Sequence, residues 1–450
     1  MQNSLSRVLP LRTAVSTSAG LASAAVNFLA AVEVAEYAGG QSAWLAILVA
    51  GVLIVFAGSN FSELNGLFPS AAAIRVWIRR GVNDQVSLVS SFVYMFTVVF
   101  VIAADAFVLG HTFSRAIPAI PALLWILAIL ALVTWSNSRG IKVAGAVQDT
   151  NAFVLLGTLM LFSLMVLART RHLGQFHYFH LGSNWFEAIA LGIFIFVGFE
   201  WVTPLAEEFQ DFRAIPRGMY IALGLIAVAF GLFSLALTVA FPHVHLLAHS
   251  FVPQLLVGMK AMGKFGFWWM AFVTLTTAMT TFNGGLLSAS RFVYALAREK
   301  ALPSWFSRLN GRLVPQNALM TLAGTSFVLA IVVYFTGQYL FLINAGAGVE
   351  SFMYALSSWL VISLRRRDPK RARPFHAFGY PVVPVIMGVI FLGLGVEALL
   401  TPTGPSGFPW SLVFFAVLLV LMVIYVLVAI PRLKEKKPGL GQVSKGSKGV

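Results

Sequence analysis

Twelve long apolar stretches run through this sequence and limit the folds that the chain can adopt. A helix rises about 1.5 Å per residue, so about twenty apolar residues cross the roughly 30 Å hydrocarbon core of a bilayer. Inside lipid the backbone has to satisfy its own hydrogen bonds, and single stretches of this length do so as helices. A transmembrane barrel is disfavoured, because its strands alternate apolar and polar residues. We therefore predict an all-α integral membrane protein with twelve transmembrane helices, at 13–38, 42–68, 86–114, 119–136, 147–168, 184–209, 218–242, 265–297, 317–336, 339–363, 382–401 and 409–430.

The composition excludes most other classes of protein. Charged residues make up 10% of the 450 residues and hydrophobic residues 59%, whereas a soluble globular chain carries about 25% charged residues. Soluble, disordered and coiled-coil proteins are disfavoured on this ground. The chain has no cysteine, so disulfides and thiolate metal sites are excluded.

The distribution of basic residues predicts the orientation in the membrane. With the N-terminus placed in the cytoplasm, all but five of the 31 Lys and Arg residues fall on the cytoplasmic side, as the positive-inside rule requires. We therefore predict a multi-pass protein of the cell membrane with both termini cytoplasmic. The net charge of +15 then reflects topology and contact with anionic lipid, and does not indicate a nucleic-acid partner. The five exceptions are Arg115, Arg169, Arg171, Lys260 and Lys264.

The first span contains small residues where a helix would otherwise carry large ones. Residues 20–25 are mostly small, and Asn27 and Glu33 follow within the same apolar stretch. Small side chains allow a ligand or another backbone to approach closely. Taken alone, the pattern favours tight helix packing over a ligand site.

The sixth span combines three features that disturb a helix. Gly198 lies in the middle, Glu200 follows it, and Pro204 removes a backbone donor four residues further on. A broken helix that lines a cavity accounts for all three, because the freed amides and carbonyls can hold a ligand. A proline kink with Glu200 hydrogen-bonded locally is the simpler alternative, and we favour the broken helix.

The two irregular spans lie five spans apart, so spans 1–5 and 6–10 would form two inverted repeats with broken helices 1 and 6, plus two extra helices. This five-plus-five layout recurs in secondary transporters, where the first helices of the repeats meet at mid-depth. The predicted regions are a cytoplasmic N-terminus (1–12), the first repeat (13–168), the second repeat (184–363), helices 11 and 12 (382–430) and a disordered cytoplasmic tail (431–450).

Four groups of motifs, in order along the chain, carry a family resemblance. They are Phe61-Ser62-Glu63-Leu64 with Phe68-Pro69-Ser70-Ala71; Ser138-Arg139-Gly140-Ile141-Lys142; Phe196-Val197-Gly198-Phe199-Glu200 with Ala206-Glu207-Glu208 and Ile215-Pro216-Arg217; and Ser290-Arg291 with Tyr294-Ala295-Leu296-Ala297-Arg298 and Leu302-Pro303. With these motifs the chain resembles the amino acid–polyamine–organocation superfamily of transporters, from about residue 10 to residue 375.

The resemblance implies a substrate site between broken helices 1 and 6, with contributions from helices 3, 8 and 10. In the family a substrate carboxylate rests on amides of a Gly-Ser-Gly-like stretch in helix 1, and the amine faces carbonyls of helix 6. This sequence departs from that pattern, since the stretch reads Ala25-Val26-Asn27. The residues predicted to bind substrate are Ser23, Ala24, Ala25, Val26, Asn27, Phe194, Phe196, Val197, Gly198 and Phe199.

Carboxylates inside the spans are candidates for proton coupling, because a carboxylate at low dielectric can exchange a proton near neutral pH. We rank Glu200 first since it adjoins the second break, and Glu33 next. Asp105 is a third candidate, for which a structural hydrogen bond between helices is an equal alternative.

A cluster of threonines in the eighth span offers oxygen ligands for sodium. Threonines in helices more often bond to their own backbone, so sodium is the alternative coupling ion here. The cluster consists of Thr276, Thr277, Thr280 and Thr281.

The predicted function is secondary active transport of an amino acid or related amine by alternating access, as proton-coupled symport or exchange. Sodium-coupled symport is the alternative. An integral membrane enzyme is disfavoured because none of the common catalytic motifs occurs in the sequence, and a channel because the polar residues cluster at two breaks. We predict no enzyme activity, no cofactor and no resident metal; the expected partners are the small-molecule substrate, protons or sodium, and lipid.

Overall fold

The computed structural model of the chain describes residues 5–170, 179, 182, 184–247, 250–403 and 407–431. Over these residues the chain is helical and forms no sheet; an isolated β-bridge joins Leu9 to Phe209. The predicted disordered tail lies outside the described residues from position 432 onward.

Fourteen α-helices follow one another in the described part of the chain. They are α1 (Leu11–Ala22), α2 (Asn27–Tyr37), α3 (Ala43–Leu67), α4 (Ile74–Gly81), α5 (Asp84–Ala116), α6 (Ala122–Ser138), α7 (Ile141–Arg169), α8 (Trp185–Phe194), α9 (Ala214–Ala240), α10 (Pro253–Arg298), α11 (Gln316–Thr336), α12 (Tyr339–Arg367), α13 (Val382–Leu400) and α14 (Trp410–Ile424). A 3-10 helix, Phe199–Leu205, continues the span that α8 begins.

Every predicted span contains a helix, but not every helix meets the length and hydropathy expected of a span. Among the described residues, nine helices are long and apolar enough to cross a membrane, and the bent pair α1 and α2 makes a tenth. The two remaining predicted spans correspond to α6, with 17 residues, and to α10. Helix α10 has 46 residues and bends at Gly263 (φ 63°), a conformation that glycine tolerates because it has no Cβ. The count of twelve therefore stays a prediction.

Burial differs sharply between the helices and locates the centre of the bundle. The apolar window of α5 is 83% buried inside the protein, whereas that of the last helix is 11% buried. Large apolar side chains of α14, such as Leu421 and Ile424, are exposed, as expected for a surface in contact with lipid. Helix α5 is therefore central, and α14 is peripheral.

The two interrupted spans lie side by side in this bundle. Helix α1 packs against α7, α9 and α10, and the 3-10 helix packs against α1 and α10. Small residues allow this approach: a Cβ added at Gly218 of α9 would lie 2.8 Å from the carbonyl carbon of Ala14, the close contact typical of small-residue helix interfaces. On the other side of the breaks, α2 and α3 pack against α8, and α12 packs against α5 and α13.

Candidate functional site

The first span is broken between Ala22 and Asn27, where α1 and α2 meet at 64°. The Asn27 side chain spans the break: its Nδ2 donates to the Ala22 carbonyl at 2.6 Å and to the Ile195 carbonyl at 2.9 Å. One side chain therefore satisfies a carbonyl that the break has freed, and also ties the first interrupted span to the second.

A carboxylate from α5 lies at the start of α2. Oδ1 of Asp105 accepts from the backbone N–H of Ala25 and, at 3.3 Å, from that of Val26. Amides at a helix N-terminus attract negative charge because they have no helical partner and lie at the positive end of the dipole. Asp105 is fully buried, so this interaction connects the first break to the centre of the bundle.

The second break is centred on Gly198, whose φ of 103° lies in the region that favours glycine. Helix α8 ends at Phe194, and the chain re-enters a helix only as the 3-10 segment that begins at Phe199. The Gly198 N–H donates to the Tyr354 hydroxyl at 3.2 Å. A Cβ at Gly198 would lie 3.6 Å from the backbone nitrogen of Ala22, so the two breaks are adjacent.

Directly after Gly198, Glu200 is enclosed by two tyrosines. Its Oε1 accepts from the Tyr94 hydroxyl at 3.0 Å, and its Oε2 from the Tyr354 hydroxyl at 2.7 Å. The Tyr94 ring stacks on Trp201 at a centroid distance of 4.2 Å. Glu200 is therefore fixed in place by α5 and α12 and fully buried.

A second buried carboxyl group, that of Glu350 in α12, lies within hydrogen-bonding reach of Glu200. Its Oε1 accepts from Thr97 at 2.8 Å and from the Trp201 indole at 2.9 Å. Two ionised carboxylates are acceptors only, so a hydrogen bond between these groups requires a proton on one of them. We refer to Glu200 and Glu350 as the acid pair.

A cavity of about 260 Å³ lies between the breaks and the α12–α13 side of the bundle. Its lining comes from α1 and the first break, α2, α5, α8, the second break, α12, α13 and the residues after α13, and includes Phe194 and Val197. The lining contains three carboxylates and, among the lining residues that the structure describes, no Lys, Arg or His. Its polar members are Asn27, Glu33, Asn344, Glu350, Glu397 and Thr401.

On the opposite side of the breaks the chain is closed by ionic and backbone contacts. The buried Arg291 pairs with Glu208 at 3.0 Å. The Glu208 carbonyl accepts from the amides of Val8 and Leu9, each at 2.9 Å. The segment before α1 is therefore fastened across the end of the second interrupted span. We refer to this set of contacts as the closed side.

The predicted sodium ligands of α10 are mostly occupied by their own helix. Thr276 and Thr277 each donate to the Val273 carbonyl at 2.8 Å. Thr280 donates to the Thr277 carbonyl at 2.8 Å and to Gly20 of α1 at 3.2 Å. These contacts match the more common behaviour of helical threonines.

The fourth threonine differs, because over the described residues the Thr281 hydroxyl does not bond to its own helix backbone and lies beside the Asp105 carboxylate. Near Gly20 the α1 carbonyl of Ser16 accepts an amide hydrogen from Gln148 at 3.1 Å. The Gln148 amide therefore occupies a carbonyl of α1 that a sodium ion would otherwise use as a ligand.

The structure brings together only part of the predicted substrate set. Five predicted residues line the cavity, whereas Ser23, Ala25 and Gly198 lie at the breaks without lining it. Phe196 and Phe199 point away, because their rings pack against α3 at Gly51 and Phe61. The five lining residues are Ala24, Val26, Asn27, Phe194 and Val197.

The sequence places Glu350 among the carboxylates inside the spans, but it does not rank this residue among the proton-coupling candidates and gives no role to Tyr94 and Tyr354. Glu350 is the only acidic residue of the tenth predicted span, and Tyr94 and Tyr354 carry hydroxyls within apolar spans. Each was visible as a polar group within an apolar stretch. Their convergence on Glu200 depends on how α5 and α12 pack, which one sequence does not display.

Two interrupted helices that meet inside a bundle, beside a cavity lined by ionisable side chains, are typical of multi-pass membrane transport proteins. The chain belongs to the amino acid permease family, whose model matches residues 14–438. The resemblance to the amino acid–polyamine–organocation superfamily is thereby confirmed.

Several relatives are amino acid transporters by name. A gamma-aminobutyric acid permease of Bacillus subtilis is 24% identical over 352 residues, which cover 74% of this chain and 74% of that protein. Asc-type amino acid transporter 1 of Homo sapiens is 26% identical, with 77% of this chain and 69% of that protein covered. The large neutral amino acids transporter small subunit 2 of Homo sapiens is 25% identical, with 78% and 68% covered.

Among solved structures, the backbone is similar to a substrate-bound outward-open state of a Na+-coupled sialic acid symporter. The TM-score is 0.58 and the identity 13%, with 88% of this chain and 91% of that chain covered. At this identity the likeness shows the fold alone. Family, relatives and apolar helices together make this protein a multi-pass membrane transporter of the amino acid permease family.

Proposed function

We propose that the chain is a secondary active transporter that moves an amino acid or a related amine by alternating access. The observation that carries the proposal is a cavity that ends at two adjacent helix breaks, with the closed side packed beyond them. Alternating access requires a site that is reachable from one side at a time. If the N-terminus is cytoplasmic, the closed side, which includes Val8 and Leu9, would face the cytoplasm and the cavity would face the outside.

We propose proton coupling through the acid pair. Glu200 contacts the second break through Tyr354, which also accepts from the Gly198 amide. Glu350 lines the cavity and lies beside Glu200. A proton that enters from the cavity can thus pass from Glu350 to Glu200, which is linked to the second break through the Tyr354 hydroxyl. Glu33 lines the same cavity and is a second candidate.

The inverted repeat is part of the proposal. In this account residues 13–168 and 184–363 form the two repeats, and helices 11 and 12 (382–430) lie outside them. The two breaks would then occupy equivalent positions in the repeats, as their contact through Asn27 favours. The protein would lie in the cell membrane with both termini cytoplasmic, which the basic residues favour.

Uptake into proteoliposomes tests the proposal. The purified chain would be offered labelled amino acids and amines under an imposed proton gradient, an imposed sodium gradient or neither. We expect accumulation of at least one compound under the proton gradient, and no further gain when potassium is replaced by sodium. Accumulation that requires a sodium gradient would support the alternative symport, and no uptake in any arm would contradict the proposed function.

A further inference from the structure

The anion position at the start of α2 is already occupied by the protein itself. Oδ1 of Asp105 accepts from the amides of Ala25 and Val26. The amides of residues 27–29 donate to main-chain carbonyls three residues earlier. From residue 25 to residue 29, every amide therefore has an acceptor within the protein, and a substrate carboxylate would have to displace Asp105 to bind there.

Apart from the side chains of Asn344 and Thr401, the cavity beside this helix start offers a carboxylate no free donor among its described lining residues. Both amide hydrogens of Asn27 are donated to backbone carbonyls. The lining holds carboxylates of Glu33, Glu350 and Glu397 and, over its described residues, no basic side chain. A second anion placed among three carboxylates at low dielectric is strongly disfavoured.

The same cavity is well suited to a positive charge. Glu350 is 3% exposed and lies beside Glu200, so when one member of the acid pair carries the proton the other is a buried, ionised acceptor. An ammonium group supplies such an acceptor with up to three donors and with the opposite charge. Glu350 is therefore a partner for a cationic ligand at the inner end of the cavity.

We infer that the transported substrate is an organic amine without a free carboxylate, and that Asp105 excludes α-amino acids by taking the place of their carboxylate. Glu350 receives the ammonium group, and Glu33 and Glu397 favour entry of a cation. This inference rests on the proposed transport function. Selectivity of this kind comes from an interaction that disfavours the competitor as well as from one that favours the substrate.

Matched pairs of compounds that differ only in the α-carboxylate test the inference. Leucine and isopentylamine, phenylalanine and phenethylamine, and lysine and cadaverine would be compared for uptake and mutual competition in proteoliposomes with the full chain. For any pair that is transported, we expect the amine to compete at least about tenfold better than its parent amino acid, as the loss of one charged hydrogen-bonded interaction predicts. Preference for the amino acid in every transported pair would overturn the inference and leave the proposed function intact. No uptake of either member of any pair would overturn both.

Two substitutions of Asp105 distinguish the effect of occupying the Ala25 and Val26 amides from the effect of the negative charge. Asp105→Ala frees the amides of Ala25 and Val26, so it should reduce or reverse the roughly tenfold preference for the amine. Asp105→Asn removes the charge but keeps an oxygen that accepts from both amides, so it should still exclude the amino acid. If Asp105→Ala folds and keeps the wild-type preference, the inference fails.

A substitution of Glu350 tests the cationic side of the site and does not depend on the folding of Asp105→Ala. Glu350→Gln should weaken amine competition by roughly tenfold without improving that of the amino acid. Glu187→Gln is the matched control, since the exposed Glu187 lies outside the cavity lining and this change should leave both compounds unaffected. Unchanged amine competition in Glu350→Gln would overturn the role of that carboxylate.

Discussion

The two helix breaks are adjacent in space but are produced in different ways. The second contains its own cause, because Gly198 adopts a φ of 103° that residues with a Cβ rarely adopt. The first has neither glycine nor proline between positions 23 and 26. It is maintained by contacts from elsewhere, namely Asp105 on the amides and Asn27 on the carbonyls.

A break caused by a residue's own backbone conformation and a break maintained by long-range contacts should therefore respond to different substitutions. The second should be sensitive to substitution of Gly198 itself. The first should be sensitive to substitution of Asp105, which accepts from the Ala25 amide and lies 80 residues further along the chain.

The largest expected effect on stability lies on the closed side, where each interrupted span has an ion pair at its end, from Arg12 at the start of α1 and from Glu208 after the 3-10 helix. Arg291 and Glu208 are fully buried, whereas Arg12, which pairs with Asp149, is 72% exposed. Arg291→Met leaves a buried carboxylate unpaired and should destabilise the protein by about 3–5 kcal/mol. Arg12→Met should cost about 1 kcal/mol or less.

Thermal unfolding of the two variants in detergent would compare these costs. The wild-type chain is the reference, and retained folding is checked by circular dichroism. Equal shifts of the unfolding midpoint for Arg291→Met and Arg12→Met would show that the closed side does not depend on the buried pair.

A smaller effect is expected from Gly198→Leu. A Cβ at this φ costs about 1–2 kcal/mol, and the new side chain would press on Leu21 and Ala22 across the break. Substrate affinity should therefore fall by roughly tenfold or more, measured by competition in proteoliposomes.

Gly157→Leu provides the control for this change. Gly157 lies in α7, is exposed and has no atom within 4 Å of an added Cβ, so its replacement should leave affinity unchanged. Intact binding in Gly198→Leu would contradict a site at the second break.

The smallest expected effect comes from Thr280→Ala. The Thr280 hydroxyl links α10 to the Gly20 carbonyl at 3.2 Å, and a single neutral hydrogen bond of this kind contributes about 1 kcal/mol. We expect a modest loss of stability and no change in the response of uptake to sodium. If the substitution abolished a sodium-dependent component of uptake, the threonines of α10 would be ligands and sodium would be the coupling ion.

The sequence predicted the features that have a local cause. The apolar stretches predicted the helices, and Gly198 with Pro204 predicted the second break. For the first break the small residues, taken alone, favoured packing, and the broken first helix was predicted from the five-plus-five layout of the spans. Its actual determinants, Asp105 and the hydrogen bonds of Asn27, are long-range contacts. The roles of Glu350, Tyr94 and Tyr354 likewise arise only when α5, α12 and the 3-10 helix pack around Glu200.

Proton movement coupled to substrate uptake, followed with a pH-sensitive dye inside proteoliposomes, tests whether Glu200 carries the coupled proton. In the wild-type chain, external addition of a transported compound should acidify the lumen. In Glu200→Gln, substrate should still bind but acidification should be lost, because the amide keeps the shape of the acid pair without a proton to exchange. Acidification in Glu200→Gln equal to that of the wild type would contradict the account.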